Sequence, residues 1–369
     1  MTHVYLDAAM ICDIGRRRSM NQDRGLADGG LFLVCDGMGG GVAGQEASAR
    51  TIRHCESLID LDRRSKADIA AVIDEAQRDV CELGRELGGV SGTTLTGLVL
   101  SSMGSVATHR THTVRDDSAD SPTDIDDTDD TLDGMVKVSD AVITAQLDLD
   151  GLDDTLDSMP ATGRPGFPCV LDFDDDAMPS WYVVNIGDSR TYHLDAQPGG
   201  GWSASSMVQV TRDHSRRQEL IDAGVMLPEL ADQLVPRNLI TQCVGAPEGI
   251  DPDYFRADLP GRFIVCSDGL HSELDDDAIA AIAAVNRSPR EAVQALVEAA
   301  LAAGGKDNVT VIVVDTVCSP DDVMASRDDD AAWSYVKIAR DEDLSSIGES
   351  TLDTLRTVAA RHQLERKGK

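Results

Sequence analysis

The stretch Leu31–Ser48, LFLVCDGMGGGVAGQEAS, sets the problem. Its first five residues are apolar, which suits a short strand buried on both faces. The strand ends on Asp36, and four of the next five residues are glycine. Glycine lets the backbone adopt positive φ and come close to another group. An acid delivered to the tip of a buried strand beside such a turn points to a ligand or a metal. The plainer reading is a strand-to-helix turn capped by an acid.

Other acids recur in the same setting. Asp268 ends FIVCS and is followed by Gly269, Asp188 sits in the turn IGDSR after YVVN, and Asp307 opens the last strand in GGKDNVTVIVV. Asp23 lies in NQDR, shortly before the strand that ends on Asp36. Carboxylates gathered from several strand tips need a counter-charge, and all-oxygen ligation selects Mg²⁺ or Mn²⁺ over zinc. Asp36 is the candidate to bridge two ions, because Gly37 beside it leaves its carbonyl open as a further oxygen ligand. Two such ions would acidify a water near neutral pH. RRRS at 16–19 supplies arginines whose planar forks suit a phosphate; a solvated basic face is the bland alternative.

Bulk properties narrow the class. The chain has 369 residues, is 41% hydrophobic but only 4% aromatic, and carries a net charge of −32. Nucleic acid and anionic membrane would both be repelled. Residues 102–180 hold 19 Asp, no Glu and four Lys or Arg. Eight cysteines are scattered singly with no CxxC pair, which suits thiols in a reducing compartment. No secretion signal or membrane span is expected, so a cytoplasmic location follows.

Periodicity predicts strands over 3–14, 31–35, 94–102, 181–187, 190–195, 262–269 and 308–317, the fourth and fifth forming a hairpin around Asp188 and Ser189. A further strand ends in VQVTRDH. Helices are expected from Gly44 to Leu61, from Ser65 to Leu87, and over 214–223, 275–284 and 289–303. Residues 103–179 read as a long disordered insertion joining neighbouring strands, with a short amphipathic piece near 135–149. Residues 318–369 read as a linker and tail, with a surface helix over 344–366. DDTLDGMVKVSD (129–140) matches a calcium loop only at Asp129, Asp133 and Gly134, and solvated chain is the favoured reading. His109 and His112 read likewise as non-ligands. Thr93 and Thr94 read as structural, and Arg190 as an ion-pair partner rather than a substrate ligand.

NQD, DGMGGGVAGQEAS, SGTTLTGLVL, VNIGDSRTYHL, VTRDHS, NLITQCVG, CSDGL and GGKDNVTVIVV occur in one order. In that order the chain resembles the metal-dependent serine/threonine phosphatases of the protein phosphatase 2C type, over 2–102 and 180–316. The resemblance implies an α+β fold, a four-layer α-β-β-α sandwich of two mostly antiparallel sheets flanked by helices. It implies a phosphatase domain over 1–317, interrupted by 103–179. The implied activity is hydrolysis of phosphoserine and phosphothreonine on proteins by metal-activated water, with a serine/threonine kinase and its targets as candidate partners.

Carried over by motif, Asp36 bridges two Mg²⁺ or Mn²⁺ ions and Gly37 adds its carbonyl. Asp268 and Asp307 complete the first metal, and Asp23 acts on the second through water. Asp188 joins Asp268 at a third, weaker ion. Arg18 matches the phosphate-binding arginine, and 213–240 matches the flap that influences substrate choice. Two positions depart from the pattern: Met38 stands where many relatives carry a histidine that protonates the leaving group, and Gln22 where many carry Glu. Two alternatives stay open, a catalytically silent metal-binding interaction domain and a hydrolase of small phosphoric esters.

Overall fold

In the computed structural model, residues 2–38, 42–106, 167–173, 179–197, 200–236, 239–318 and 333–338 are described. The first half contributes β1 (Thr2–Asp13), β2 (Arg24–Asp28), β3 (Leu31–Cys35), β4 (Gly37–Met38), α1 (Val42–Glu56) and α2 (Lys66–Glu86). There follow β5 (Gly92–Thr93), β6 (Leu95–Leu100), β7 (Ser105–Val106), β8 (Cys169–Phe173), β9 (Trp181–Ile186), β10 (Arg190–Leu194) and β11 (Val208–Gln209). The last part holds α3 (Arg216–Asp222), α4 (Pro228–Leu234), β12 (Asp253–Ala257), β13 (Gly261–Cys266), α5 (Asp268–His271), α6 (Asp276–Val285), α7 (Pro289–Ala303), β14 (Val309–Cys318) and β15 (Tyr335–Lys337).

Side-chain alternation along β3 explains the layering. Leu31, Leu33 and Cys35 pack into one core with Ile69, Ile73 and Val80 of α2. Phe32 and Val34 point the other way, into a core shared with Phe263, Val265, Ile312 and Val314. The next residues of β14, Val311 and Val313, face a third core with Leu296 and Val297 of α7. Three cores separate four layers, so LFLVC and VIVV are apolar throughout because each strand is covered on both faces. One sheet runs β11-β10-β13-β14-β1-β8-β7, the other β15-β12-β9-β6-β3-β2, and β4 pairs with β5 alone; every pairing is antiparallel. This is the expected four-layer sandwich.

The helix boundaries follow capping chemistry. Ser65 and Asp68 form a reciprocal capping box at the start of α2, and Ser288 and Glu291 form another at α7, with Pro289 as its first residue.

Several expectations are corrected. Residues 103–179 are not without regular structure at their ends: β7 and β8 lie within them, and β8 pairs with β1. The acid-rich composition hid the alternation of CVLDF, whose Cys169, Leu171 and Phe173 are buried. Strands β6 and β9 are indeed neighbours across this stretch. By contrast β9 and β10 are not a hairpin: they lie in different sheets, so the GDSR turn crosses from one sheet to the other. The flap stretch 213–240 holds a second helix, α4, beyond the one expected over 214–223. The C-terminal region is not all linker, since β15 joins β12 and Trp333 stacks on His193 at 3.5 Å between ring centroids. Residues 107–166 and 174–178 lie outside the described residues, and so do 129–140, His109, His112 and 344–366.

One buried ion pair ties a sheet to its helices. Arg262 on β13 is fully buried and forms a two-pronged bond to Asp315 of β14 (2.7 and 2.6 Å). It also donates to the carbonyls of Ala283, Asn286 and Arg287 at and just past the end of α6. Burial pushes the Asp315 carboxyl up to about 6 even though Arg262 pulls it down. Arg262→Met should therefore destabilise the fold by about 3–5 kcal/mol at pH 8, by leaving a buried carboxylate unpaired. The deficit should shrink at pH 5, where Asp315 takes up a proton and its charge vanishes. Denaturant melts at the two pH values check both the size and the sign.

Candidate metal centre

Strand register brings the five acids to one end of the sandwich. Cys266 pairs with Val311, so Asp268 after β13 and Asp307 before β14 leave the sheet side by side. Arg24 pairs with Cys35, which sets Asp23 before β2 beside Asp36 after β3. Leu95 pairs with Ile186, so the turn carrying Asp188 follows at the same end. Asp36, Asp268 and Asp307 are partly exposed, while Asp23 and Asp188 are buried.

Local bonding fixes each acid. The Asp36 amide donates to Thr94 Oγ1 (2.9 Å), and its carbonyl accepts from Thr93 Oγ1 and the Thr94 amide (2.9 Å each). Thr94 Oγ1 in turn bonds Ser189 Oγ at 2.7 Å, tying Asp36 to the GDSR turn. Thr93 and Thr94 are structural, as expected. Asp23 Oδ2 accepts from Ser267 Oγ at 2.7 Å. Asp307 Oδ1 accepts from the Asn308 amide (2.8 Å) and Oδ2 from Arg18 Nη2 (2.5 Å). The Asn308 side chain donates to the carbonyls of Ile14 and Met20 and accepts from the Gln22 amide, so it pins the arginine-rich loop. At Gly37 a Cβ would collide with the Gly44 carbonyl at the start of α1, which is why the residue after Asp36 carries no side chain.

Electrostatically the cluster is frustrated. The Asp36 carboxyl is held well above the usual carboxylate range, first by burial and then by Asp23, Asp268, Asp188 and Asp307. Burial and Asp268 push Asp188 up to about 8; burial and Asp307 push Asp268 up to about 6. Burial lifts Asp23 to about 7 against the bond from Ser267. At Asp268 the neighbouring Asp36 side chain and Arg18 pull the other way and offset part of this rise. Arg18, half-exposed, is drawn to Asp307, whose bond raises its pKa further.

Among the described residues no group of three or more His, Cys, Asp or Glu side chains is splayed about a common point to hold an ion. The donor set nevertheless fits a hard cation. Oδ1 of Asp23, Asp188 and Asp268 are all buried without a hydrogen-bond partner, and carboxylate oxygens in that state call for positive charge. A cavity of about 380 Å³ opens beside them, lined by Asp188, Asp268, Arg190, Asp213 and His271.

Sequence reasoning missed the supports more than the acids. Ser267, Asn308 and the partner of Arg190 gave no spacing signal. Arg190 forms a two-pronged pair with Asp213 (2.9 and 2.7 Å), which holds the Asp213 carboxyl below its ordinary range despite burial. Met38 pairs with Gly92 on the two-stranded ribbon next to the acids.

Removing one negative charge from this cluster should relieve it. Asp36→Asn is expected to raise the melting temperature by about 2–4 °C in the presence of a chelator, for a gain of ~1 kcal/mol. A thermal melt that shows no rise would contradict the crowding of charge.

No family model matches the chain. Among curated proteins it is similar to the serine/threonine protein phosphatase PstP of Mycobacterium tuberculosis, 34% identical over 137 residues, 37% of this chain and 25% of that protein. It is also similar to the protein phosphatase PhpP of Streptococcus pneumoniae, 36% identical over 133 residues, 36% of this chain and 51% of that protein. The match thus spans between a quarter and about half of these relatives' length. Among solved structures, the PPM Ser-Thr phosphatase MsPP of Mycobacterium smegmatis aligns over 84% of this chain and 97% of that one, at 28% identity and a TM-score of 0.54. The catalytic domain of PstP in complex with two manganese ions aligns over 85% and 99%, at 24% identity and a TM-score of 0.54. The fold is that of the PPM phosphatases.

Proposed function

We propose that this chain, a homologue in sequence and fold of the protein phosphatase 2C-type (PPM) phosphatases, hydrolyses phosphoserine and phosphothreonine esters on proteins with the help of divalent metal ions. The observation that carries the reading is the cluster of five acids with three orphaned, buried carboxylate oxygens. Asp36, the Gly37 carbonyl, Asp268, Asp307 and Asp23 would hold two Mg²⁺ or Mn²⁺ ions, and Asp188 with Asp268 a third, weaker one. Bound there, the ions supply the positive charge that the acids lack and the Lewis acidity that makes water nucleophilic at neutral pH.

The chain's own residues do the rest. Arg18 lies on a half-exposed loop and carries further N–H donors besides the one given to Asp307, so it can take phosphoryl oxygens and orient the ester. Thr94 and Ser189 keep Asp36 and the GDSR turn in one register, so the site is rigid before substrate arrives. Met38 carries no exchangeable proton, so the leaving alkoxide is protonated by another group. Phosphorylated proteins, with a serine/threonine kinase and its targets among them, are the proposed partners. A reducing, cytoplasmic setting suits eight cysteines scattered singly with no CxxC pair. No described helix is long and apolar enough to cross a membrane.

Two measurements test this. A mixed phosphopeptide pool should be dephosphorylated with Mn²⁺ and left intact with a chelator, and faster than small sugar phosphates; the reverse preference would favour a small-ester hydrolase. Asp36→Asn should lower turnover by at least about a hundredfold with its circular dichroism unchanged, and Arg18→Ala should mainly raise KM. Mn²⁺ should also raise the melting temperature of the parent protein, by mass action, and not that of Asp36→Asn. Parent protein that binds Mn²⁺ but hydrolyses no phosphoester would be the silent interaction domain.

A further inference from the structure

The imidazole of His214 holds the turn that carries Asp188. Gly187 has φ +103°, and a Cβ there would come within 2.6 Å of the Thr94 methyl, so only glycine fits this point of the turn. His214 grips it twice. Its amide donates to the Gly187 carbonyl (2.8 Å), and its ring Nδ1 accepts from the Gly187 amide (3.3 Å). Asn185 Nδ2 reaches the same carbonyl at 3.3 Å. A ring nitrogen that accepts carries no proton, so the neutral imidazole holds its proton on Nε2.

Nε2 faces Asp253 Oδ2 at 3.5 Å, with the His214 and Asp253 side chains only 11% and 14% exposed. The other oxygen of Asp253 takes the Lys337 ammonium at 2.7 Å. Asp253 opens β12, opposite Asn185 of β9, and Lys337 closes β15, opposite Phe255. A carboxylate beside Nε2 favours the tautomer with a proton there, which leaves Nδ1 able to accept from Gly187. The Lys337 ammonium in turn anchors the other oxygen of Asp253 and so fixes the carboxylate against the ring.

We propose that His214 is a positioning residue for Asp188, held in its Nε2–H tautomer by Asp253, and that Lys337 of the last strand completes the device. Residues 333–338 then act on the acid cluster from outside the motifs that build it. The kinetic consequence rests on the phosphatase reading; the structural one does not.

Hydrogen exchange at the Gly187 amide, followed in the full chain, is the direct readout. His214→Ala removes the acceptor and should speed exchange by about tenfold or more. His214→Asn places an amide oxygen near the former Nδ1 and should restore exchange to within about threefold of the parent. Asp253→Asn should approach the alanine variant, and Lys337→Met, on an exposed ion pair, should give about two- to threefold. On a phosphopeptide, kcat should fall in the same order with KM unchanged, because Arg18 is untouched.

Unchanged exchange in His214→Ala would overturn the proposal. So would equal acceleration in His214→Ala and His214→Asn, which would mean that the ring only packs. Should His214→Ala fail to fold, exchange in His214→Asn, Asp253→Asn and Lys337→Met decides: parent-like exchange in both Asp253→Asn and Lys337→Met refutes the relay. If exchange follows the expected order while the parent hydrolyses no phosphopeptide, the positioning stands and the phosphatase reading falls.

Discussion

Five carboxylates crowded at one end of a two-sheet sandwich repel one another, and much of the molecule serves to keep them there. Antiparallel register supplies the convergence: each acid leaves a strand tip next to the tip that delivers another. Short polar side chains supply the restraint. Thr94 and Ser267 each bond an acid or its backbone, and the Asn308 side chain pins the loop between Ile14 and Gln22, all without adding charge of their own. The site is therefore built to resist its own electrostatics, at a cost to stability that a cation would reverse.

That resistance requires a stiff frame. Three apolar cores, each facing one or two sheets, fix the strands that end on the acids. Arg262 adds a charged tie between β13, β14 and the end of α6, deep in the same sheet that carries Asp268 and Asp307. Sheets locked in this way cannot relax apart when the carboxylates repel. The response visible in the structure is a side-chain one, the approach of Arg18 to Asp307.

The layers and the acids were legible because their signals are local. Runs such as LFLVC and FIVC announce strands covered on both faces, and an acid followed by glycine marks the tip of each. What stayed hidden depends on partners far along the chain. Strands β2 and β12 carry charged residues within five-residue spans, so neither shows a clean alternation. The GDSR turn looked like a hairpin because nothing in it tells whether the next strand returns to the same sheet. Asp213 lies 23 residues from Arg190, and Ser267 lies 244 from Asp23, so no spacing rule could pair them. CVLDF was masked by the acid-rich residues around it, and β15 by its distance from every recognisable motif.

The seating of Tyr335–Lys337 on β12 has a consequence for how copies of the protein behave towards one another. Without that segment, β12 would be the outermost strand of its sheet, with a row of unpaired backbone donors and acceptors beside Phe255. Bare rims of this kind invite strands from other molecules to add on, and so seed aggregation. By occupying the rim itself, and by laying Trp333 over His193 and Phe263, the chain replaces a five-residue edge with a three-residue one. The segment is in this sense a built-in guard of solubility, and a shortened protein ending at Cys318 would lack it.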